Sequence, residues 1–528
     1  MYLMHKYWAR KPHNVVAEYI KKYSEEGEIV LDPFCGSGVT AIESLRLGRK
    51  VIAIDINPIA TFITRMTAIP INLEEFKKSF EKIKENCKSE INNLYKTKCP
   101  VCKREVIAIH TEWRDTEPVA IWYKCKNCKN KKLQKKSDAT LAKEDLELLK
   151  EIEHKDIPYW IPLYEFYYDS GNLFKEGYRT RFMKKEKSTS VADLFTKRNL
   201  IALSILYNEI EKIKDNKIKD LMKFTFTSTL AQTSKLIQIE KSGGGFGWIQ
   251  HSYWIPLNRR ELNVWHYFEN RYKKILKGKE QSNSEIKKYK EAKDWVDFMD
   301  PKKDANILIS TQSASDLSNL QDNSIDYIFT DPPYGGAIQY LELSAMWASW
   351  LKFDLDFKNE ITINKEQKKD LNYYHKKLHS SFKEIYRVLK PNKYLTLTFH
   401  NTDIKVWNSI LKAVIFAGFD LEKIIYQPPA TASAKGSLQP YGSAVGDYYI
   451  RFKKSSKTKK TDAMVEINKA RYERVVVDTA KEIIADRGEP VPYQYILNGI
   501  IPELDKHGVL LKGDKDIEEV MKSYINKE

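Results

Sequence analysis

The chain has 528 residues, of which 42% are hydrophobic and 12% aromatic, so we expect about three or four folded domains rather than a disordered protein. No apolar run approaches the roughly 20 residues that cross a bilayer, and no signal-peptide pattern opens the chain, so membrane and secreted proteins are excluded. Lysine and arginine number 88 against 71 acids, a formal net charge of +17, which favours a polyanionic partner.

The first predicted unit is a strand, a turn, a helix and a second strand. Ile29–Leu31 forms a strand that ends in Asp32, and a helix over about 39–47 follows the turn PFCGSG. The second strand, Val51–Ile54, ends in Asp55. Short apolar runs on both sides of a helix, joined by tight turns, predict parallel strands of an α/β sheet.

The turn in this unit favours a cofactor site. Gly36 and Gly38 let the backbone approach a ligand closely, at the N-terminus of a helix. Asp55 ends the next strand 17 residues beyond Gly38, where a carboxylate binds ribose hydroxyls. A six-residue glycine fingerprint and a Walker lysine are both missing from the turn. The pattern therefore favours S-adenosylmethionine over nicotinamide cofactors and ATP, with a purely structural turn as the alternative.

Four cysteines follow between two predicted helices, one over 74–95 and one over 139–152. Their spacing is C-x2-C-x22-C-x2-C, and they are Cys99, Cys102, Cys125 and Cys128. Each C-x2-C half can supply two thiolates to one tetrahedral ion. We predict a structural zinc ribbon, outside the chemistry, at the end of a helical stalk that leads out and back.

Lysines surround the second cysteine pair: Lys124, Lys126, Lys129, Lys131, Lys132, Lys135 and Lys136. A charge run is usually a solvated face, but beside a ribbon in a basic chain it favours contact with phosphates.

Residues 155–300 are aromatic-rich and irregular, with a helix at about 200–213 and a solvated charged stretch at 283–293. Its SGGGFGW segment is either a loop that brings Phe246 or Trp248 to an unstacked base or an ordinary turn. Four further aromatic residues are predicted to lie in the core rather than to stack on DNA: Tyr253, Trp254, Trp265 and Tyr267.

The α/β pattern then resumes, with the strands ANILIS, IDYIFT and YLTLTF and with helices between and after them. One α/β domain is therefore predicted to be split by an insertion of roughly 240 residues, where a helix and a short loop would ordinarily suffice. A basic linker, KKSSKTKK, precedes a small helical unit at the end of the chain.

The strand IDYIFT runs into the most specific motif of the chain, Asp331-Pro332-Pro333-Tyr334. The prolines have no N–H group and fix the turn, so its carbonyl groups stay free to accept hydrogen bonds. The Asp331 carboxylate and one carbonyl can then accept both hydrogens of an exocyclic amino group while Tyr334 stacks on a planar ring. Positioning of this kind is worth roughly 7–11 kcal/mol.

Several segments resemble the amino-group DNA methyltransferases, and the wider pattern is similar to the adenine-specific DNA methylases that carry a zinc ribbon. The segments are HKYWARKPH, LDPFCGSGVTAIESL, AIDINP, the cysteine pairs, NVWHYFENR, SIDYIFTDPPYGG, YLELSAMWASW and EIYRVLKPNKYLTLTFH. The resemblance covers most of residues 5–452. It implies a Rossmann-like methyltransferase domain split by an insertion that holds the zinc ribbon and a mixed, mainly helical target-recognition region.

The resemblance also implies residue roles. Asp55 would bind the ribose of S-adenosylmethionine, Asp316 in SASDLSNL its adenine, and Lys11 and Pro12 its methionine end. The full set of cofactor-binding candidates is Lys11, Pro12, Asp32, Pro33, Phe34, Gly36, Gly38, Thr40, Asp55 and Asp316. The catalytic candidates that hold the base are Asp331, Pro332, Pro333 and Tyr334.

The chain is predicted to contain a methyltransferase domain in two parts, 1–72 and 304–452. Between them lie the helical stalk with the zinc ribbon, 73–153, and the recognition insertion, 154–303. A basic linker, 453–462, and a small helical C-terminal domain, 463–528, follow.

The predicted function is methylation of the amino group of a flipped adenine in double-stranded DNA, in the cytoplasm of a prokaryote and associated with its nucleoid. An RNA methyltransferase of the transfer-RNA type, a cytosine amino-group DNA methyltransferase and a non-catalytic DNA-binding module are the alternatives. No nuclease or helicase motif occurs, so cleavage in a restriction or antiviral system would need a separate subunit.

Overall fold

The structure is a computed structural model. It describes residues 1–128, 133–137, 141, 143–175, 189–239, 248, 252–401, 403–427, 446–455 and 469–487, with single positions between 496 and 521. The predictions for Lys129, Lys131, Lys132 and Phe246, and most of those for the linker and the tail, fall outside these residues.

An eight-stranded sheet forms the centre of the α/β domain, in the order β12-β13-β11-β10-β1-β2-β9-β8. Strand β13 runs antiparallel to β11 and β12, and the other pairs are parallel. The strands are β1 (Ile29–Asp32), β2 (Lys50–Asp55), β8 (Glu291–Ala292), β9 (Ile307–Thr311), β10 (Ile325–Thr330), β11 (Leu389–Phe399), β12 (Asp420–Gln427) and β13 (Asp447–Lys453). The predicted α/β sheet of parallel strands is therefore present, and the antiparallel strand β13 is an addition that the sequence analysis does not predict.

The two motif-bearing strands, β1 and β10, are direct neighbours in this sheet. They pair in parallel, with Val30 opposite Tyr327 and Leu31 opposite Ile328. Asp32 and Asp331 consequently end up at the same edge of the sheet, although they are nearly 300 residues apart in sequence. This juxtaposition is the one that the split-domain hypothesis requires.

Helices cover both faces of the sheet. Residues of α1 and α2 pack in one buried cluster with β1, β2, β9 and β10, and residues of α11 and α12 pack in another on the opposite face. The helices of this domain are α1 (His13–Tyr23), α2 (Val39–Arg46), α3 (Pro58–Ala68), α9 (Trp295–Met299), α10 (Tyr340–Leu351), α11 (Leu371–Val388) and α12 (Ile404–Phe416). The C-terminal helix α13 (Lys469–Arg487) buries Val476 in the second cluster.

The insertion is a helical bundle that shares one continuous core with the α/β domain. Its helices are α4 (Leu73–Asn93), α5 (Lys143–His154), α6 (Lys197–Glu211), α7 (Asn216–Thr233) and α8 (Val264–Glu285). The apolar stripe of α4 is buried against α8, where the rings of Phe80 and Tyr272 stack at 3.7 Å. Because α4 packs along its length, the predicted projecting stalk is wrong.

A smaller antiparallel sheet carries the cysteines. Its strands are β3 (Lys96–Lys98), β4 (Glu105–Arg114), β5 (Glu117–Tyr123) and β6 (Gln134–Ser137), and β7 (Asn258–Leu262) pairs with β4. The pairing of β7 with β4 connects the ribbon to the bundle through the start of α8.

The segment 283–293 differs from the solvated stretch that its charges predict. It ends α8, buries Ile286, and supplies β8, which is the parallel edge strand beside β9. The return to the central sheet therefore begins at Glu291, before residue 304. Among the described residues, no helix has both the length and the apolar character needed to span a membrane.

Candidate active site

A cleft of about 980 Å³, open to solvent, lies at the carboxyl edge of β1, β2 and β10. The glycine turn after β1 lines one part of it and the catalytic turn after β10 another, through Gly36, Asp55, Asp331 and Pro333. The N-terminal segment from Tyr7 to Lys11 closes a further side. The two motifs thus share one cavity.

The glycine turn binds its own acid through the backbone. The amide of Gly36 donates to Asp55 Oδ2 at 2.8 Å, and that of Asn57 donates to Oδ1 at 2.9 Å. Gly38 has a φ of +80°, and a Cβ there would lie 2.5 Å from Thr64 Oγ1. Burial raises the pKa of Asp55 to about 6, although these two hydrogen bonds oppose the shift. Two backbone amides therefore fix the Asp55 carboxylate in the cleft, which is the arrangement that the ribose-binding prediction requires.

Asp32 connects the two motifs. Its Oδ1 accepts hydrogen bonds from the amide of Phe34 at 3.2 Å and from the hydroxyl of Thr330, the last residue of β10, at 3.0 Å. The side chain is buried, and burial raises its pKa to about 7. Its neighbours Pro33, Phe34 and Thr40, which are also predicted cofactor residues, line the cleft as well.

The Asp331 carboxylate is anchored by one oxygen only. Oδ1 accepts hydrogen bonds from Tyr334 Oη and, at 2.8 Å, from Thr398 Oγ1, and the Lys11 ammonium lies 3.6 Å away. Burial raises the pKa of Asp331, and the charge of Lys11 opposes that shift. Oδ2 accepts no hydrogen bond from any described residue, and the side chain is 21% exposed. This oxygen is therefore available in the cleft.

Of the two proline carbonyls of the turn, one accepts hydrogen bonds from described residues and the other does not, as with the two oxygens of Asp331. The Pro333 carbonyl accepts from Tyr374 Oη at 2.6 Å and from the Gly335 amide at 3.1 Å. The Pro332 carbonyl accepts none within the described part of the chain. Together, Asp331 Oδ2 and the Pro332 carbonyl make a pair of unused acceptors.

Tyr334 departs from its predicted geometry. Its ring is 3% exposed and packs edge-to-face on Phe399 at 5.1 Å and against His400 at 4.6 Å. Its hydroxyl donates to Asp331. The ring therefore lies in the core rather than facing the cleft, because the hydrogen bond and the aromatic packing hold it there.

The N-terminal segment supplies residues that sequence reasoning mostly missed. The Arg10 guanidinium donates to Ser37 Oγ at 2.9 Å, which fastens the segment to the glycine turn. The Tyr7 ring stacks with Tyr340 at 6.0 Å inside the cleft. Lys11 donates to Tyr334 Oη and to Asp447 Oδ1, the latter at 2.7 Å. The quoted segments HKYWARKPH and YLELSAMWASW contain Tyr7, Arg10, Lys11 and Tyr340, but Asp447 stands in neither.

Two predicted cofactor residues lie elsewhere. Asp316 is exposed, its Oδ1 accepts from the amide and the hydroxyl of Ser318, and it does not line the cleft. Ser313 and Ala314 of the same loop line it instead. Pro12 is exposed and begins α1.

The four predicted metal ligands come together. The Sγ atoms of Cys99, Cys102, Cys125 and Cys128 all lie within 4.8 Å of one another. Cys99 and Cys128 are 3.8 Å apart, and Cys102 and Cys125 are 3.5 Å apart. A tetrahedral zinc with Zn–S bonds of about 2.3 Å needs sulfur atoms about 3.8 Å apart. The cluster therefore fits zinc.

Two of the lysines near the ribbon have structural partners. Lys136 is buried and pairs with Asp145 at 2.5 Å, and Lys135 pairs with Glu112 at 3.0 Å. The expectation of a phosphate contact is therefore wrong for Lys136, while Lys124 and Lys126 are exposed. Of the aromatic residues, Tyr253, Trp265 and Trp248 are buried, and Trp254 and Tyr267 are partly so.

A family model described as DNA methylase matches residues 3–64 and 325–494. These two stretches contain the glycine turn and the catalytic turn, and the unmatched part between them contains the insertion. These two stretches are similar to the DNA methylase family. The methylase match also extends to residue 494, past the linker at which the predicted resemblance ended.

Curated relatives match short stretches of this chain. Type II methyltransferase M.MjaII of Methanocaldococcus jannaschii is 29% identical over 75 residues, 14% of this chain and 14% of that protein. Type II methyltransferase M.BsoBI of Geobacillus stearothermophilus is 32% identical over 95 residues, 17% of this chain and 19% of that protein. The chain spans less than a fifth of the length of these curated relatives.

Among solved structures, a SAM-dependent methyltransferase from Methanosarcina mazei is similar at 13% identity, with a TM-score of 0.16. The match covers 29% of this chain and 69% of that one.

Proposed function

We propose that this protein transfers a methyl group from S-adenosylmethionine to the exocyclic amino group of an adenine flipped out of double-stranded DNA. The observation that carries the proposal is Asp331 Oδ2, an unused acceptor in the cleft that the glycine turn also lines. The adjacent Pro332 carbonyl likewise accepts no hydrogen bond from the described residues. The methylase family of the two matched stretches and the net charge of +17 support it.

The proposed role of the turn is positioning. An amino group has two hydrogens, and two acceptors with fixed positions can bind both. The nitrogen lone pair then points away from both acceptors, in one fixed direction. S-adenosylmethionine, when bound, supplies an electrophilic methyl group for that lone pair. Fixing two reactants in line is worth roughly 7–11 kcal/mol of the barrier, without an unusually basic side chain.

The cofactor would be held by the groups on the other side of the cleft. Asp55 is fixed by two backbone amides and can accept hydrogen bonds from ribose hydroxyls. The turn through Gly36 and Gly38 brings the backbone close to the ligand, next to the N-terminus of α2. Tyr7 and Tyr340 offer apolar ring surface in the same cleft.

Adenine is favoured over cytosine because an aspartate opens the catalytic motif. DNA is favoured over RNA because the matched family is described as DNA methylase and the relatives are named Type II methyltransferases. A flipped base costs a few kcal/mol of stacking and pairing, which the chain would recover through contacts with the DNA backbone.

The test is transfer of tritiated methyl groups from labelled S-adenosylmethionine to mixed-sequence duplex DNA, with transfer RNA as a parallel substrate. Label should enter duplex DNA and should be found in N6-methyladenine after digestion to nucleosides. Asp331→Ala should lower transfer by about 1,000-fold or more, because the oriented acceptor is lost. Asp322→Ala is the matched control, since that acid is 66% exposed and pairs with Arg387 on the surface.

Several results would contradict the proposal. Label in transfer RNA alone would favour the RNA methyltransferase, and label in N4-methylcytosine would change the target base. Full transfer by Asp331→Ala would remove the role of the catalytic turn.

We also propose that the four-cysteine cluster holds one structural zinc ion. Sulfur separations of 3.5 and 3.8 Å suit a tetrahedral site with four thiolates and no open position. Metal analysis of the purified protein should find about one zinc per chain, and Cys102→Ser should lower both zinc content and melting temperature. A zinc-free protein with the same melting temperature would contradict this site.

A further inference from the structure

The Lys11 ammonium lies between two carboxylates at the edge of the cleft. Nζ is 2.7 Å from Asp447 Oδ1 and 3.6 Å from Asp331 Oδ1. The Lys11 side chain is only 6% exposed. Its charge is therefore shared unequally, and Asp447 is its closer partner.

The position of Asp447 is fixed by its strand and by a hydrogen bond to His400. It is the first residue of β13, and β13 lies between β11 and β12. The His400 ring, which follows β11, is 2.8 Å from Asp447 Oδ1 through Nδ1. Burial disfavours the charged form of Asp447, but His400 and Lys11 outweigh burial and hold its pKa well below the usual range. The acid is a stable counter-charge for the ammonium.

The alternative position for the ammonium would weaken the catalytic turn as an acceptor. A buried ammonium needs a carboxylate partner, and without Asp447 the nearest one is Asp331. The lysine stem is flexible enough for Nζ to move closer to Asp331 Oδ1, which is now 3.6 Å away. A charged donor bound to Oδ1 would draw negative charge away from Oδ2, the oxygen that the amino group needs.

We propose that Asp447 is a positioning residue for methyl transfer, which holds the Lys11 ammonium back and so keeps Asp331 Oδ2 a strong acceptor for the target amino group. The proposal rests on the proposed function of the catalytic turn. Asp447 need not touch the base or the cofactor for this role, because it acts through Lys11. The arrangement also explains why Lys11 can lie so near Asp331 without weakening it as an acceptor.

The first experiment replaces the charge and keeps the shape. Asp447→Asn should lower the single-turnover rate at saturating S-adenosylmethionine by about 100-fold, the effect of a misplaced reacting group. The dissociation constant of the cofactor, measured by calorimetry, should change less than threefold. Glu422→Gln is the matched control, because Glu422 pairs with Arg451 of β13 at 2.9 Å on the neighbouring strand. It should transfer methyl groups at the wild-type rate.

The second experiment tests whether Asp447 acts through Lys11. In a Lys11→Gln background no ammonium remains to be held back, so adding Asp447→Asn should change the rate less than threefold. A double variant at least tenfold slower than Lys11→Gln alone would overturn the proposal. This pair stays informative if Asp447→Asn alone does not fold, because the double variant has no unpaired buried ammonium.

The third experiment does not need DNA. A crystal structure of the Asp447→Asn variant should place Lys11 Nζ about 2.8 Å from an Asp331 oxygen, a direct charged hydrogen bond, instead of the present 3.6 Å. An ammonium that stays beside the new amide at position 447 would overturn the proposal. If the wild-type protein labels no nucleic acid, the proposed function fails, and this structure still decides where the ammonium goes.

Discussion

The two acids of the cleft, Asp55 and Asp331, are held in opposite ways. Asp55 takes its hydrogen bonds from backbone amides at positions 36 and 57, which belong to the same strand-turn-helix-strand unit. Asp331 takes its own from the side chains of Tyr334 and Thr398, and the ammonium of Lys11 lies nearby. Both Thr398 and Lys11 come from segments far away in sequence. The cofactor side is thus assembled locally, and the catalytic side is assembled by the tertiary fold.

This difference predicts different sensitivities to mutation. A carboxylate that is held by backbone amides, like Asp55, should tolerate substitution of the surrounding side chains but not a substitution that alters the backbone of the glycine turn. A carboxylate held by side chains can be adjusted one donor at a time, with the cofactor still bound. The three predictions that follow test this contrast from the largest expected effect to the smallest.

Gly38→Ala should abolish cofactor binding measured by calorimetry. The backbone at φ +80° disfavours any side chain by about 1–2 kcal/mol, and the clash with Thr64 should add about 1–3 kcal/mol to the loss of unfolding free energy. Gly27→Ala is the control, since Gly27 has a φ of +83° and open space around its Cβ position. Equal losses in both variants would mean that the turn is only a backbone requirement.

Asp32 connects the glycine turn to β10, and the Asp32→Asn variant tests this connection through the pH dependence of the unfolding free energy. The native pKa of Asp32 is about 7 and its unfolded value is about 4, so between these values the native state binds more protons and stability falls as pH rises. Asparagine does not titrate. Relative to wild type, the variant should therefore gain about 2–3 kcal/mol of unfolding free energy between pH 5 and pH 8, measured by urea unfolding. Parallel pH profiles would refute the raised pKa.

Thr398→Val should slow methyl transfer by about tenfold, the loss of one hydrogen bond to a charged group. The affinity for cofactor should not change, because the Thr398 hydroxyl hydrogen-bonds only to β10 and the catalytic turn, at the Thr330 carbonyl and Asp331 Oδ1. Thr396→Val is the control: Thr396 is buried two residues earlier on the same strand and makes no contact with Asp331. A loss of cofactor affinity in Thr398→Val would show that the two sides are not separable.

The strands, the glycine turn and the four cysteines follow from local patterns, and the structure has them where the sequence predicts them. The helix over 74–95 was also predictable. Its packing on α8 was not, because an amphipathic stripe shows that one face is buried but not which element covers it. The segment 283–293 is predicted to be solvated from its charges, yet Glu291 and Ala292 join the sheet as its edge strand. The exposed position of Asp316 likewise depends on the path of its loop.

The sequence by itself determined the strands and turns on which the proposed site is built, since apolar runs, glycines and prolines restrict the backbone wherever they occur. Only the tertiary structure decided how the carboxylate of Asp331 is used. Its neighbours Lys11 and Thr398, and the Asp447 that restrains Lys11, are brought together by the strand order β13-β11-β10-β1, and that order is fixed by long-range packing rather than by any local pattern. The buried position of Tyr334 has the same origin.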